Sequence, residues 1–139
     1  MTPEQTILVQ NSYNRVYPVY NAVAESFYRR LFELDPSLRP LFPEDMHEQR
    51  LKLMTTFNIA VNGLRHPSSI VPILQKLGRL HADYGVQATH YVTMGDALLW
   101  TLQQCLGEQF TAEVESAWVA AYALIAEAMR ADAELAQFS

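Results

Sequence analysis

The sequence predicts an all-α fold, built as a single domain over residues 1–139. Three observations predict it. Apolar residues recur at three- and four-residue intervals along nearly the whole chain, and strand-like alternation is absent. Thr, Asp and Pro at the candidate starts, with Gly or Pro at the stops, cut that pattern into segments of helical length. Half of the residues are hydrophobic and no repeat, low-complexity tract or linker interrupts them, so one core accounts for the chain.

The first helix starts at Thr2. Pro3 suits the first helical position, and Thr2 and Gln5 have the spacing of a capping box. Pro18 has no backbone donor and ends or kinks that helix. The second helix carries Val19, Val23, Phe27 and Leu31 on one stripe, with Tyr20, Ala24 and Tyr28 beside it. Asp35 and Pro36 cap a short turn of helix ending near residues 40–43. A long helix follows from about Pro43 to Leu64, with Met46, Gln49, Leu53, Phe57, Val61 and Leu64 on one face. Residues 65–69 read as a loop. The next helix runs from Ile70 to Tyr84, with Ile73, Leu77, His81 and Tyr84 at helical spacing and Gly85 as its stop. Thr89 caps another, whose stripe of Met94, Leu98, Leu102 and Cys105 ends at Gly107. Thr111 opens the last helix, with Glu113 in the first turn, where the helix dipole favours an acid. Its stripe is Val114, Trp118, Ala121, Ile125 and Met129.

Composition excludes several function classes. Ten basic residues against fifteen acidic ones give a net charge of −5, and Arg29-Arg30 is the only adjacent basic pair, so no nucleic-acid partner is expected. The longest apolar run, Ala117 to Ala126, is 10 residues, against ~20 for a membrane span. The opening residues MTPEQT are polar and unlike a signal peptide. The single cysteine, Cys105, allows no internal disulfide and no thiolate-only zinc site. A cytoplasmic protein is the simplest expectation. Gly63, Gly78, Gly85, Gly95 and Gly107 assemble no phosphate loop. There is no His-Glu-x-x-His motif, no Gly-x-Ser-x-Gly elbow and no distinctive carboxylate pair. Cys105, mid-helix among apolar residues, reads as a small core residue rather than a nucleophile.

Three polar side chains lie on or beside apolar stripes. His81 follows Ile73 and Leu77 on the predicted buried face. It is either a core imidazole satisfied by a carbonyl or a metal ligand, giving one nitrogen to iron and its other N–H to a carbonyl such as that of Leu77. Gln49 precedes Leu53 on another buried face, unless it is partly exposed at the helix start. Tyr28 is an aromatic filler with its hydroxyl at the surface, or a donor turned inward. His47, His66 and His90 have no partner three or four residues away. His47 points about 200° away from Gln49 on an ideal helix.

These residues fall in segments that resemble a family. The chain resembles single-domain bacterial globins of the flavohaemoglobin-like class, which includes Vitreoscilla-type haemoglobins and thermostable bacterial globins. SFYRRLF (26–32) looks like the motif that sets a tyrosine, here Tyr28, over the haem. LRPLF (38–42) supplies the wedging Phe42. EQRLKLM (48–54) looks like the start of the distal helix, with Gln49 and Leu53. LGRLHADYGVQATHYVTMGDALL (77–99) resembles the proximal helix, its corner and the next helix, with His81 and, ten residues on, Tyr91. AWVAAY (117–122) resembles a motif of the last helix.

The resemblance implies a globin fold of six to eight helices around a pocket for haem b, with His81 as the iron ligand. It implies that Tyr28, Gln49 and Leu53 face a bound gas, and that Phe42, Lys52, Leu53, Phe57, Leu77, Val86, Tyr91 and Met94 complete the cofactor site. Lys52 is then placed for a haem propionate. Reversible binding of oxygen, nitric oxide and carbon monoxide is the expected function. The alternatives are a nitric oxide dioxygenase served by an external reductase, and a gas sensor or haemless regulatory globin. One departure stands out. The class links its histidine through the tyrosine to a glutamate, and that position falls on Ala133, flanked by Asp132 and Glu134. Loss of that carboxylate would weaken the push on iron and favour holding oxygen over activating peroxide. No flavin or nicotinamide segment is expected within the 139 residues.

Overall fold

The computed structural model describes the backbone of residues 1–138 and the side chains of residues 1–130. Helix α1 spans Pro3–Val16, and a 3₁₀ turn, Tyr17–Val19, joins it to α2, Tyr20–Leu34. A second 3₁₀ segment, Pro36–Leu41, precedes α3, His47–Asn62. Helices α4, Pro67–Asp83, and α5, Ala88–Leu106, follow, and α6 spans Ala112–Phe138. The described residues contain no strand, as the spacing predicts. No helix among them is long and apolar enough to cross a membrane.

Local chemistry sets the boundaries. The Gln5 amide N–H donates to Thr2 Oγ1 at 3.1 Å, and the Thr2 N–H to Gln5 Oε1 at 2.9 Å, completing the capping box. Pro18 sits in the 3₁₀ turn between α1 and α2. The Asp35 carboxylate accepts from the Ser37 N–H at 3.0 Å.

Three expected starts move. Helix α3 begins at His47 rather than Pro43 because the preceding carbonyls are already used. The Arg39 guanidinium donates to the carbonyls of Phe42, Pro43 and Glu44 at 3.3, 2.9 and 2.9 Å. The Asp45 carboxylate then takes the His47 N–H at 3.0 Å. Helix α4 begins at Pro67, inside the expected loop, where proline fits the first turn. Helix α5 is capped by Gln87 rather than Thr89: the Gln87 N–H donates to His90 Nδ1 at 2.9 Å.

Helix α6 packs against α4 and α1, and α2 crosses α5. Gly78 is the contact point of α4 with α6: a Cβ there would stand 2.1 Å from the carbonyl oxygen of Met129. Trp118 is wholly buried, and its indole N–H donates to Ser12 Oγ at 2.8 Å. Ser12 passes its own proton to the Leu8 carbonyl at 2.7 Å, so this buried polar pair is satisfied.

Some stripes are rotated from their expected positions. The buried line of α4 is Ile70, Leu74 and Gly78, and Ile73 is 43% exposed. Val19, in the 3₁₀ turn, is exposed. On α5 the buried line steps by four residues from Leu98 through Leu102 to Leu106, one residue past Cys105, which is exposed rather than a core residue. The side chains of Asp132, Ala133 and Glu134 lie outside the described residues.

Candidate functional site

Between α2, α3, α4, α5 and α6 the helices leave a largely apolar cavity of about 360 Å³. Ten of the residues singled out from the sequence line it: Tyr28, Phe42, Gln49, Lys52, Leu53, Phe57, Leu77, His81, Val86 and Met94. Tyr91 does not. It is buried directly behind His81.

The α2 wall holds Tyr28 by its neighbours. Its ring lies 6.0 Å from Phe32 in a near-parallel arrangement, 5.6 Å from Phe42 at 66° and 5.1 Å from Phe27 at 71°. Three rings packed on the phenol leave it little rotamer freedom. Burial pushes the phenol up to about 12, so it is a protonated donor at neutral pH. The Gln49 side-chain amide donates to the Tyr28 oxygen at 3.4 Å. The proton of Tyr28 is thus left for an acceptor in the cavity.

The α4 wall holds His81. Burial lowers its pKa below the usual 6.5, so the ring is neutral at neutral pH. Nδ1 lies 3.2 Å from the Tyr91 hydroxyl, where the sequence suggested the Leu77 carbonyl. The reason is the turn after α4, which brings the start of α5 against the imidazole, while the Leu77 carbonyl lies within α4, where it is the backbone acceptor one turn before His81. With Nδ1 taken up by Tyr91, Nε2 is the nitrogen left to bind. Burial also pushes the Tyr91 phenol up to about 12, so it stays a neutral partner.

Tyr122 is a cavity residue that sequence reasoning placed only within a motif. Its hydroxyl donates to the Tyr91 carbonyl, tying α6 to the segment behind His81. Its ring fits because Gly95 has no side chain: a Cβ there would stand 2.7 Å from Tyr122 Cε2. A glycine inside a helix was the available signal.

The remaining histidines stand apart. His47 and His66 are exposed and do not line the cavity. His90 Nε2 is 3.9 Å from the Asp35 carboxylate. Among the described residues no group of three His, Cys, Asp or Glu side chains is placed to hold a metal ion. A single neutral imidazole on an apolar slot is the donor set suited to a metal that brings its other ligands in a macrocycle, so these residues fit haem.

The chain is similar to known proteins over nearly its full length. The globin family profile matches residues 25–129. Flavohemoproteins of Bordetella parapertussis and Bordetella bronchiseptica are each 30% identical over 131 residues, covering 91% of this chain and 32% of theirs. A flavohemoprotein of Chromobacterium violaceum is 32% identical over 112 residues, covering 78% of this chain and 28% of its own. The chain thus spans about a third of the length of the curated relatives it matches. A solved structure described as an engineered carbene transferase, putative nitric oxide dioxygenase from Rhodothermus marinus, superposes with a TM-score of 0.87. It is 26% identical, and the match covers 99% of this chain and 97% of that one.

Proposed function

We propose, from the premise that this chain belongs to the globin family, that it binds oxygen and other diatomic gases reversibly on haem b. One observation carries the reading: a neutral imidazole, His81, and a protonated phenol, Tyr28, line the same apolar cavity. Haem, when bound, supplies the iron at which a gas is held. His81 offers Nε2 to that iron, and the Tyr91 hydroxyl fixes the ring orientation through Nδ1. Phe42, Leu53, Phe57, Leu77, Val86 and Met94 exclude water from the cavity. In that low dielectric, loss of an electron from the iron to the departing gas would separate charge and be costly, which favours reversible binding over oxidation. Lys52, exposed and part of the cavity lining, would pair with a carboxylate side group of the cofactor. Tyr28 donates to the partial negative charge of oxygen, and Gln49 holds the Tyr28 oxygen in place. Visible spectra of the reconstituted protein, reduced and then exposed to oxygen, carbon monoxide and nitric oxide, test the reading. Absence of a Soret band after haem addition would reject it.

A second reading has its own support in the flavohemoprotein relatives and the putative nitric oxide dioxygenase. The same cavity serves nitric oxide dioxygenation, in which nitric oxide, oxygen and one electron give nitrate. The electron would come from a reductase outside these 139 residues, in the cytoplasm. Nitrate formed when nitric oxide is added to the oxygenated protein measures this capacity. Its absence would leave gas binding alone.

A further inference from the structure

Behind one cavity wall stands a series of oxidisable rings that gas binding does not use. Phe57 lines the cavity. Its ring touches Tyr13 at 5.3 Å and 82°, and Trp118 at 5.5 Å and 31°. Tyr13 is 5.8 Å from Tyr17, which is 5.9 Å from Tyr20. Tyr13 and Trp118 are buried, while Tyr17, in the 3₁₀ turn set by Pro18, is 46% exposed. We infer that this series conducts an oxidising equivalent, generated in the cavity by a peroxide, outward to Tyr17. The inference rests on the proposed binding of haem.

The electron count sets the direction. Hydrogen peroxide accepts two electrons as its O–O bond breaks, giving one water and one oxide-level oxygen. Ferric iron, the state in which haem would be reconstituted, would supply one electron and the protein the second. Indole and phenol are the rings that give an electron readily, and phenylalanine is not, so Phe57 only bridges the gap. Trp118 can give its electron while its N–H stays on Ser12 Oγ at 2.8 Å. Tyr13 is a poor resting place for the hole. Its hydroxyl donates to Asn58 Oδ1 at 3.2 Å, and an amide oxygen is too weak a base to take the proton. Tyr17 meets water, so its phenol can lose an electron to the series and a proton to solvent together. The product is a neutral phenoxyl radical at the surface, away from the gas-binding groups. Tyr84, 63% exposed and at the cavity mouth, is the rival terminus.

The test uses the haem-reconstituted full chain, with its Soret band recorded first. One equivalent of hydrogen peroxide is added with a nitroso spin trap, and the adduct is located by peptide mass spectrometry. The adduct is expected on Tyr17, to be lost in Tyr17→Phe, and to be lost from Tyr17 in Tyr13→Phe with the Soret band unchanged. Tyr17→Phe alters only an exposed position and keeps the test open should Tyr13→Phe fold poorly. An adduct confined to Tyr84, or a Tyr17 adduct undiminished in Tyr13→Phe, would overturn the inference alone. Absence of a Soret band would overturn it together with the proposed function.

Discussion

The Gln49 amide donates to the Tyr28 hydroxyl across 3.4 Å, joining α3 to α2 over a sequence separation of 21. An oxygen that accepts from Gln49 is oriented to give its own proton elsewhere. Under the proposed function the two residues would act in series, with Tyr28 donating to the ligand and Gln49, on the same cavity lining, orienting the phenol.

From this arrangement follows an ordering of effects on oxygen release. A hydrogen bond to a charged acceptor is worth ~1.5–3 kcal/mol, roughly a 10- to 150-fold effect on retention. Tyr28→Phe should speed oxygen dissociation by about that range and carbon monoxide dissociation only slightly, since carbon monoxide carries little charge. Gln49→Leu should have the smaller effect, and the double substitution less than the sum. Stopped-flow measurement with both gases decides it. Equal acceleration for the two gases would mean that Tyr28 gates access instead of donating.

Removing the proximal ring should be chemically reversible. His81→Gly deletes the imidazole but leaves the cavity walls, so added imidazole should occupy the gap and restore the ligated absorption spectrum. Restoration by imidazole but not by an apolar ring of similar size would identify the nitrogen as the working atom. An unchanged spectrum in His81→Gly would show that another residue holds the iron.

The phenol of Tyr28 sets an alkaline limit. Its folded value, about 12, lies above the free value of 10.0, so the neutral form is favoured by folding. The associated stability is fully present below the free value and is lost as pH rises from there towards about 12. Oxygen dissociation should therefore stay flat up to pH ~10. Tyr13 and Tyr91 are raised in the same way, so denaturant titrations should show stability falling above that pH. Tyr28→Phe should remove part of the slope. A full slope in that variant would contradict the assignment.

Of the five glycines, Gly78 has the least room for a side chain. A methyl group there meets the Met129 carbonyl at 2.1 Å, and backbone cannot swing aside as a side chain can. Gly78→Ala should cost about 1–3 kcal/mol, as overpacking does, visible as a lower melting temperature. Because Leu77 and Met129 both line the cavity, the same change should loosen haem retention. Unaltered stability would mean that α4 and α6 can slide apart freely.

Sequence reasoning reached what periodicity and residue chemistry encode locally. The helices, the Thr2 and Asp35 caps and the break at Pro18 follow from neighbours within four residues. His81, Tyr28 and Gln49 stood out because a polar group on an apolar stripe needs a partner. What was illegible is contact that follows no helical periodicity. The hold of Arg39 on the carbonyls three to five residues ahead delays α3, and a long side chain folding forward onto its own backbone leaves no mark in the apolar pattern. The partner of His81 is Tyr91 because of how the turn after α4 folds back, which no spacing shows. The stripe of Ile73, Leu77, His81 and Tyr84 reads as core, yet Ile73 is exposed and the other three border a cavity, and periodicity cannot tell a neighbouring helix from a binding slot.

Tyr28, Gln49 and His81 reach the cavity from α2, α3 and α4, three separate stretches of chain. No single helix contains all three walls. Colour in the reconstituted protein is consequently a reporter of assembly rather than of helix content. A partly melted chain that keeps its helices but lets the walls drift should bleach while its far-ultraviolet circular dichroism persists. The pigment would also be a ballast, since a cofactor retained only by the native arrangement draws the population towards it. Libraries of variants could then be ranked for correct folding by eye, from the redness of their colonies.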